Sequence, residues 1–94
     1  MKRQKDNPEV TVEFFGIVRA RTGIAMKKMR GETLGDIIQQ VSDEYPEFAR
    51  DCADGGQLRS GFAANMNGAA FVTDSSTLLA EGDVVMLMSL DAGG

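Results

Sequence analysis

The spacing of hydrophobic positions changes period along the chain, and each change marks an element. Val10, Val12 and Phe14 alternate with Thr11 and Glu13, the two-residue period of a strand with one buried face. Gly16 to Gly23 reads as a connecting turn in which Gly23 takes the left-handed position, and Ile24 to Met29 as a second strand. A connection of this kind predicts an antiparallel pair. From Leu34 the period lengthens: Leu34, Ile37, Ile38 and Val41 recur at i, i+3, i+4 and i+7, with Tyr45 extending the stripe, which is one apolar helix face. Thr33 stands at the N-cap. Asp36, three residues on, puts negative charge in the first turn and supplies part of a capping box, Asp having a shorter reach than Glu. Pro46 stops that helix, and Glu47 to Gly56 predicts no more than a short turn around Phe48 and Ala49 before Gly55-Gly56 ends it.

Phe62 to Met66 reads as a third strand, broken at Asn67-Gly68, the strongest short turn signal in the chain. Ala69 to Val72 returns as a short strand, Thr77 to Leu79 follows, and Glu81-Gly82-Asp83 turns into Val84 to Leu90. That last run is almost wholly apolar, as a strand in the middle of a sheet and next to the first strand would be. The order strand, strand, helix, strand, short strand, strand predicts an α+β protein, a mixed sheet with one main helix packed across it. This is the layout of the β-grasp, or ubiquitin-like, roll. The domain is expected over residues 9–90, after a short disordered basic arm at 1–8 and before a flexible tail at 91–94.

Composition narrows the chemistry. The 94 residues form one domain, 43% apolar and 26% charged, as in ordinary globular proteins. No apolar run approaches the roughly 20 residues that span a bilayer, and the basic start leads into no signal-peptide core, so neither membrane nor export is expected. With a net charge of −4, a nucleic-acid surface is not expected either, because phosphate binding needs clustered cations. Lys27, Lys28 and Arg30 form the only basic cluster of the body, which a solvated strand face explains. The absence of histidine excludes Ser-His-Asp and Cys-His arrangements. One cysteine and no histidine cannot build an ordinary zinc site. Gly55-Gly56 has neither the residues nor the spacing of a phosphate loop. Cys52 cannot form an internal disulfide, which fits a reducing cytoplasm. With Arg50 the one cation close to it in sequence, it reads as a packing or surface residue. No cofactor and no catalytic residue of its own are expected.

What remains is the tail. Gly93-Gly94 follows the last strand with only Asp91-Ala92 after Leu90. Two residues without Cβ atoms give a thin, compliant thread that fits a slot any side chain would block, and a terminal carboxylate at its tip is poised to be a substrate.

At this point the sequence resembles the MoaD/ThiS family of ubiquitin-like sulfur carriers. The resemblance is carried by Val12-Glu13-Phe14-Phe15 with Arg19 and Gly23, by Thr33-Leu34-Gly35-Asp36-Ile37 and by Tyr45-Pro46-Glu47-Phe48. It continues through Met66-Asn67-Gly68 and Leu79-Ala80-Glu81-Gly82-Asp83-Val84-Val85 to the terminal Gly93-Gly94. In length it is nearest the MoaD branch. The resemblance implies that an ATP-dependent activating enzyme (MoeB/ThiF-like) adenylates Gly94. A persulfide from a sulfur donor, such as a cysteine desulfurase or rhodanese, then displaces AMP to give a Gly94 thiocarboxylate. In the MoaD branch the tail, here Asp91, Ala92, Gly93 and Gly94, threads into a molybdopterin synthase large subunit (MoaE-like). Many of those tails carry a Pro-Pro pair and a hydrophobic residue where this chain has Ser89-Leu90-Asp91-Ala92, so this tail is less stiffened. Other acceptors stay open: thiamine thiazole, cysteine, thiolated tRNA, or protein lysines if the chain is a ubiquitin-like modifier. A plain interaction module with an idle tail also stays open. The family pattern further implies that Val85 and Leu87 are buried under the helix. Alternation then puts Met86 and Met88 on the open side of the sheet, where with Leu90 they form an exposed apolar docking patch, or else fill a core under a loop.

Overall fold

A computed structural model of the protein describes residues 7–90. Strand β1 (Glu9–Phe14) buries Val10, Val12 and Phe14 and leaves Glu9, Thr11 and Glu13 half-exposed. It pairs antiparallel with β2 (Met26–Arg30) on one side and parallel with β7 (Val84–Ser89) on the other. Strand β7 is paired antiparallel with β5 (Phe62–Met66), and β5 with β6 (Ala70–Val72). The sheet order β2-β1-β7-β5-β6 places the apolar last strand at the centre and beside the first, as its composition predicts. Helix α2 (Leu34–Glu44) turns Leu34, Ile37, Ile38 and Val41 onto one face of this sheet, against Val12, Phe14, Val85 and Leu87 in a single core. The architecture is the β-grasp roll.

The start of α2 is better fixed than the sequence suggested. Its capping box is complete: the Asp36 N–H donates to Thr33 Oγ1 at 3.2 Å, and Asp36 Oδ2 accepts from the backbone of Thr33 at 3.1 Å and Glu32 at 2.9 Å. The next amides, Leu34 and Gly35, donate to the carbonyls of Thr77 and Ser75. Position 35 has little space for more than hydrogen, since a Cβ there would lie 3.1 Å from Ser75 O and 3.2 Å from Gly56 O.

Three expectations fail between the strands. Residues 16–23 are not a turn but helix α1 (Gly16–Thr22), which buries Val18 and Thr22 one turn apart. Its brevity leaves too little periodicity to read, although Gly23 does take the left-handed C-cap, with φ 78° and its N–H on Arg19 O. Pro46 ends α2 yet also begins α3 (Pro46–Asp51), because a proline at the first helical position gives up no needed donor. Gly55-Gly56 is not a stop but the bend of a small hairpin, β3 (Ala53–Asp54) with β4 (Gln57–Leu58). The segment around Thr77 to Leu79 contributes one isolated bridge, Thr33 to Leu78. Among the described residues no helix is long and apolar enough to cross a membrane.

Candidate functional site

Strand β7 carries the residues on which the docking expectation rests, and both its ends are pinned. At its start, Asn67 Oδ1 accepts from the Val84 N–H at 2.7 Å, and the Asn67 N–H donates to Val84 O at 2.8 Å. The Asn67 amide nitrogen reaches Asp83 Oδ1 at 3.0 Å, and Asp83 Oδ2 takes the Ala80 N–H at 2.8 Å. Asn67 can do this because it and Gly68 both sit at positive φ, 59° and 74°, the conformation that an Asn-Gly turn favours. At the other end, Phe15 N–H donates to Leu87 O, and Leu90 N–H to Gly61 O at 2.7 Å. Leu90, the last described residue, is therefore held against the neighbouring backbone at Gly61. Asp91, Ala92, Gly93 and Gly94 lie outside the described residues, and so do the expectations placed on them.

The register sorts the side chains of β7. Val85 and Leu87 have no exposed surface and sit in the helix-covered core. Met86 pairs with Glu13 on one side and Asn65 on the other, and Met88 pairs with Ala63. Both methionines therefore face the open side, but they are half-buried rather than the exposed patch expected of them. Met86 owes this to its central position, with strand neighbours on each side, while Met88 has one such neighbour, in β5. The exposed apolar groups of this face come from its margins. Met26 (53% exposed) lies opposite Glu13, Phe71 (60%) opposite Asn65, and Leu90 (54%) continues the ladder beyond Ser89. One row thus crosses the five strands of the main sheet, Met26, Glu13, Met86, Asn65 and Phe71. Alternation along β7 points to Met86, Met88 and Leu90 but not to Met26 and Phe71, whose places depend on register across strands. Phe71's one local signal was its position just after the Asn-Gly turn.

Asn65 is the polar exception in this row. It is buried, and its Oδ1 has no hydrogen-bond partner among the described residues. An unpaired buried amide oxygen carries a desolvation cost that a donor arriving from outside would relieve. Elsewhere, Cys52 lies in the core, and burial, followed by the nearby Asp51 charge, pushes its thiol up from its ordinary value. It is not an available nucleophile at neutral pH. Among the described residues no group of His, Cys, Asp and Glu side chains could hold a metal ion.

Comparison with known proteins agrees with this geometry. The ThiS family model matches residues 12–94. No curated protein matches the chain in sequence. Among solved structures it is similar to the HVO 2177 protein of Haloferax volcanii, at 24% identity and a TM-score of 0.78, covering 100% of this chain and 93% of that one. The small archaeal modifier protein 1 of Methanosarcina acetivorans matches at 22% identity and a TM-score of 0.77, covering 94% and 98% of the two chains. A putative molybdopterin converting factor subunit 1 of Pyrococcus furiosus matches at 21% identity and a TM-score of 0.70, covering 87% and 97%. At these identities the structural likenesses show the fold.

Proposed function

The chain belongs to the ThiS family of ubiquitin-like sulfur carriers, and from that membership we propose that Gly94 is the sulfur-bearing residue of a carrier serving molybdopterin biosynthesis. The carboxylate of Gly94 attacks the α-phosphorus of ATP on an activating enzyme, releasing pyrophosphate and forming an acyl-adenylate. The terminal sulfur of a persulfide then attacks the acyl carbon and displaces AMP, and a second thiol reduces the acyl disulfide to the thiocarboxylate. The partners carry out the catalysis; this protein supplies a folded handle and the reacting end. The observation that carries the reading is that the family match runs through residue 94. It is supported by β7, pinned at both ends, which sets a fixed origin for the tail. Residues 91–94 can extend at most ~13–14 Å from that origin, enough to enter a partner's slot while the sheet stays outside.

The open face of β7 is the surface on which those partners dock. Met86 and Met88 form its middle, Met26, Phe71 and Leu90 its margins, and Asn65 Oδ1 offers one acceptor to a donor of the partner. An apolar face with a single polar key suits specific recognition better than an unbroken apolar one, because a wrong partner leaves the amide unpaired.

A second reading, a modifier joined through Gly94 to protein lysines, is favoured by the likeness to the archaeal modifier protein. Two assays on one thiocarboxylated sample separate them. Given a molybdopterin synthase large subunit and the pterin precursor, the carrier reading predicts stoichiometric sulfur transfer to the pterin and recovery of the Gly94 carboxylate. A denaturing pull-down rich in lysine-linked conjugates, with no transfer to pterin, would instead establish the modifier.

A further inference from the structure

The basic cluster Lys27, Lys28 and Arg30 lies on a sheet edge, where part of the backbone has no partner among the described residues. β2 is the outermost strand on its side. The Phe14 N–H donates to Ala25 O at 2.9 Å, and the Gly31 N–H to Pro8 O at 3.2 Å. Hydrogen-bonded and non-bonded pairs alternate in an antiparallel ladder, so Lys27 and Met29 point their backbone groups at β1. Met26, Lys28 and Arg30 point theirs outward. Gln40 Nε2 covers the Arg30 carbonyl at 2.7 Å. The outward N–H and C=O groups of Met26 and Lys28 have no partner among the described residues. Beside this edge runs a groove of about 480 Å³ between β2 and α2, lined by Lys27, Lys28, Met29 and Arg30 of β2, by Gln40 and Glu44 of α2 and by Glu9, within the roughly 300–1,000 Å³ range of ligand sites.

Charge decides what can occupy the edge. The protein carries a net charge of −4, yet β2 holds Lys27, Lys28 and Arg30 within five residues. A second copy pairing through the same edge would oppose cations to cations, which destabilises a strand pair. Lysines on an edge strand exclude self-association in this way. The same charges attract an acidic strand. Lys27 is engaged by Glu44 at 2.6 Å and Arg30 approaches Glu9 at 4.0 Å, whereas Lys28 has no ion pair among the described residues. The alternation of β2 also sorts the incoming side chains: Met26, Lys28 and Arg30 lie opposite Glu13, Thr11 and Glu9 on the open face, while Lys27 and Met29 lie opposite Val12 and Val10 on the helix side, and Lys28 and Arg30 border the groove at its rim.

We propose that the free edge of β2 is a second docking site, taking an extended acidic segment of a partner protein as an added strand. Its Asp or Glu side chains lie beside Lys28 and its aliphatic ones fill the groove against Met29. Backbone hydrogen bonds at Met26 and Lys28 supply affinity and the alternating pockets supply specificity. This edge stands two strands away from β7, roughly 10 Å across the sheet, and Met26 is common to both surfaces, its side chain on the open face and its backbone groups at the edge.

The test uses the full chain, isotope-labelled, titrated with the blocked hexapeptide acetyl-Val-Glu-Val-Glu-Val-Glu-amide and followed by amide shifts and hydrogen exchange. The expected result is shifts centred on Met26 to Arg30 and at least ten-fold slower exchange at the Met26 and Lys28 amides. Lys28→Glu should weaken binding at least ten-fold, with Lys28→Gln intermediate. Lys28 is exposed, so unchanged circular dichroism confirms that both variants fold. A peptide with Lys in place of Glu should give no shifts. The proposal is overturned by no binding, by equal binding of the lysine peptide, by shifts centred on Met86 and Phe71, or by sedimentation showing that the chain pairs with itself through β2.

Discussion

The two faces of β7 are made of the same kind of residue and do different things. Val85 and Leu87 on one side have no exposed surface, while Met86 and Met88 on the other keep part of theirs. Hydropathy does not separate the two pairs; the position of α2 does, because it covers one side of the sheet only. A strand that is apolar on both faces in a sheet covered on one face has more apolar surface than its own fold uses. In this protein that excess is the proposed partner surface.

The sharpest way to break the comparison is at the covered face. Leu87→Ala should cost about 2–5 kcal/mol, the usual range for truncating a fully buried leucine, read from urea unfolding. A cost near zero would mean that the core is not where the register puts it. On the open face, where both methionines are half-buried, Met86→Asp with Met88→Asp should lower stability by about 1–2 kcal/mol, less than the covered-face change. Binding to the activating enzyme should fall at least ten-fold. Parallel loss of folding and binding would show that both methionines are core and that docking occurs elsewhere. Thr33→Ala loosens the cover itself and should cost about 1 kcal/mol by removing an N-cap acceptor, with enzyme binding unchanged.

The smallest effect is a control away from both faces. Asp51 is held well below the ordinary carboxylate range by hydrogen bonds from Arg50, at 2.8 Å, and from Arg21, at 2.6 Å. A carboxylate depressed in the folded state contributes stability above its unfolded value, near 4, and loses that contribution as the pH falls through the folded value. Asp51→Asn should therefore be slightly less stable than the parent at pH 7, with the gap closing toward pH 2. A gap that widens in acid would reverse the sign and refute the assignment.

How much of this was legible beforehand follows from how local each signal is. The stripe Leu34, Ile37, Ile38 and Val41, its Thr33 cap and the Asn67-Gly68 turn are written within a few residues, and each appears where expected. The central place of β7 followed from its unbroken apolar run. Helix α1 was hidden because seven residues bounded by glycines resemble a turn and bury only Val18 and Thr22. The hairpin of β3 and β4 was hidden because each strand has two residues, too few for any period. The open-face row was half legible. Alternation along β7 assigned Met86 and Met88, but Met26, Asn65 and Phe71 join them only through pairing across strands that single-strand patterns do not encode.

The central claim is that the folded sheet is a handle and Gly94 the reacting end, and intact-mass spectrometry tests it most directly. After incubation with the activating enzyme, ATP and a persulfide donor, and then a reducing thiol, the protein should gain one oxygen-to-sulfur replacement. The gain should map to the C-terminal peptide. A variant lacking Gly94 should gain nothing while melting as the parent does. Sulfur on the deletion variant, or on Cys52 rather than Gly94 in the parent, would contradict the account.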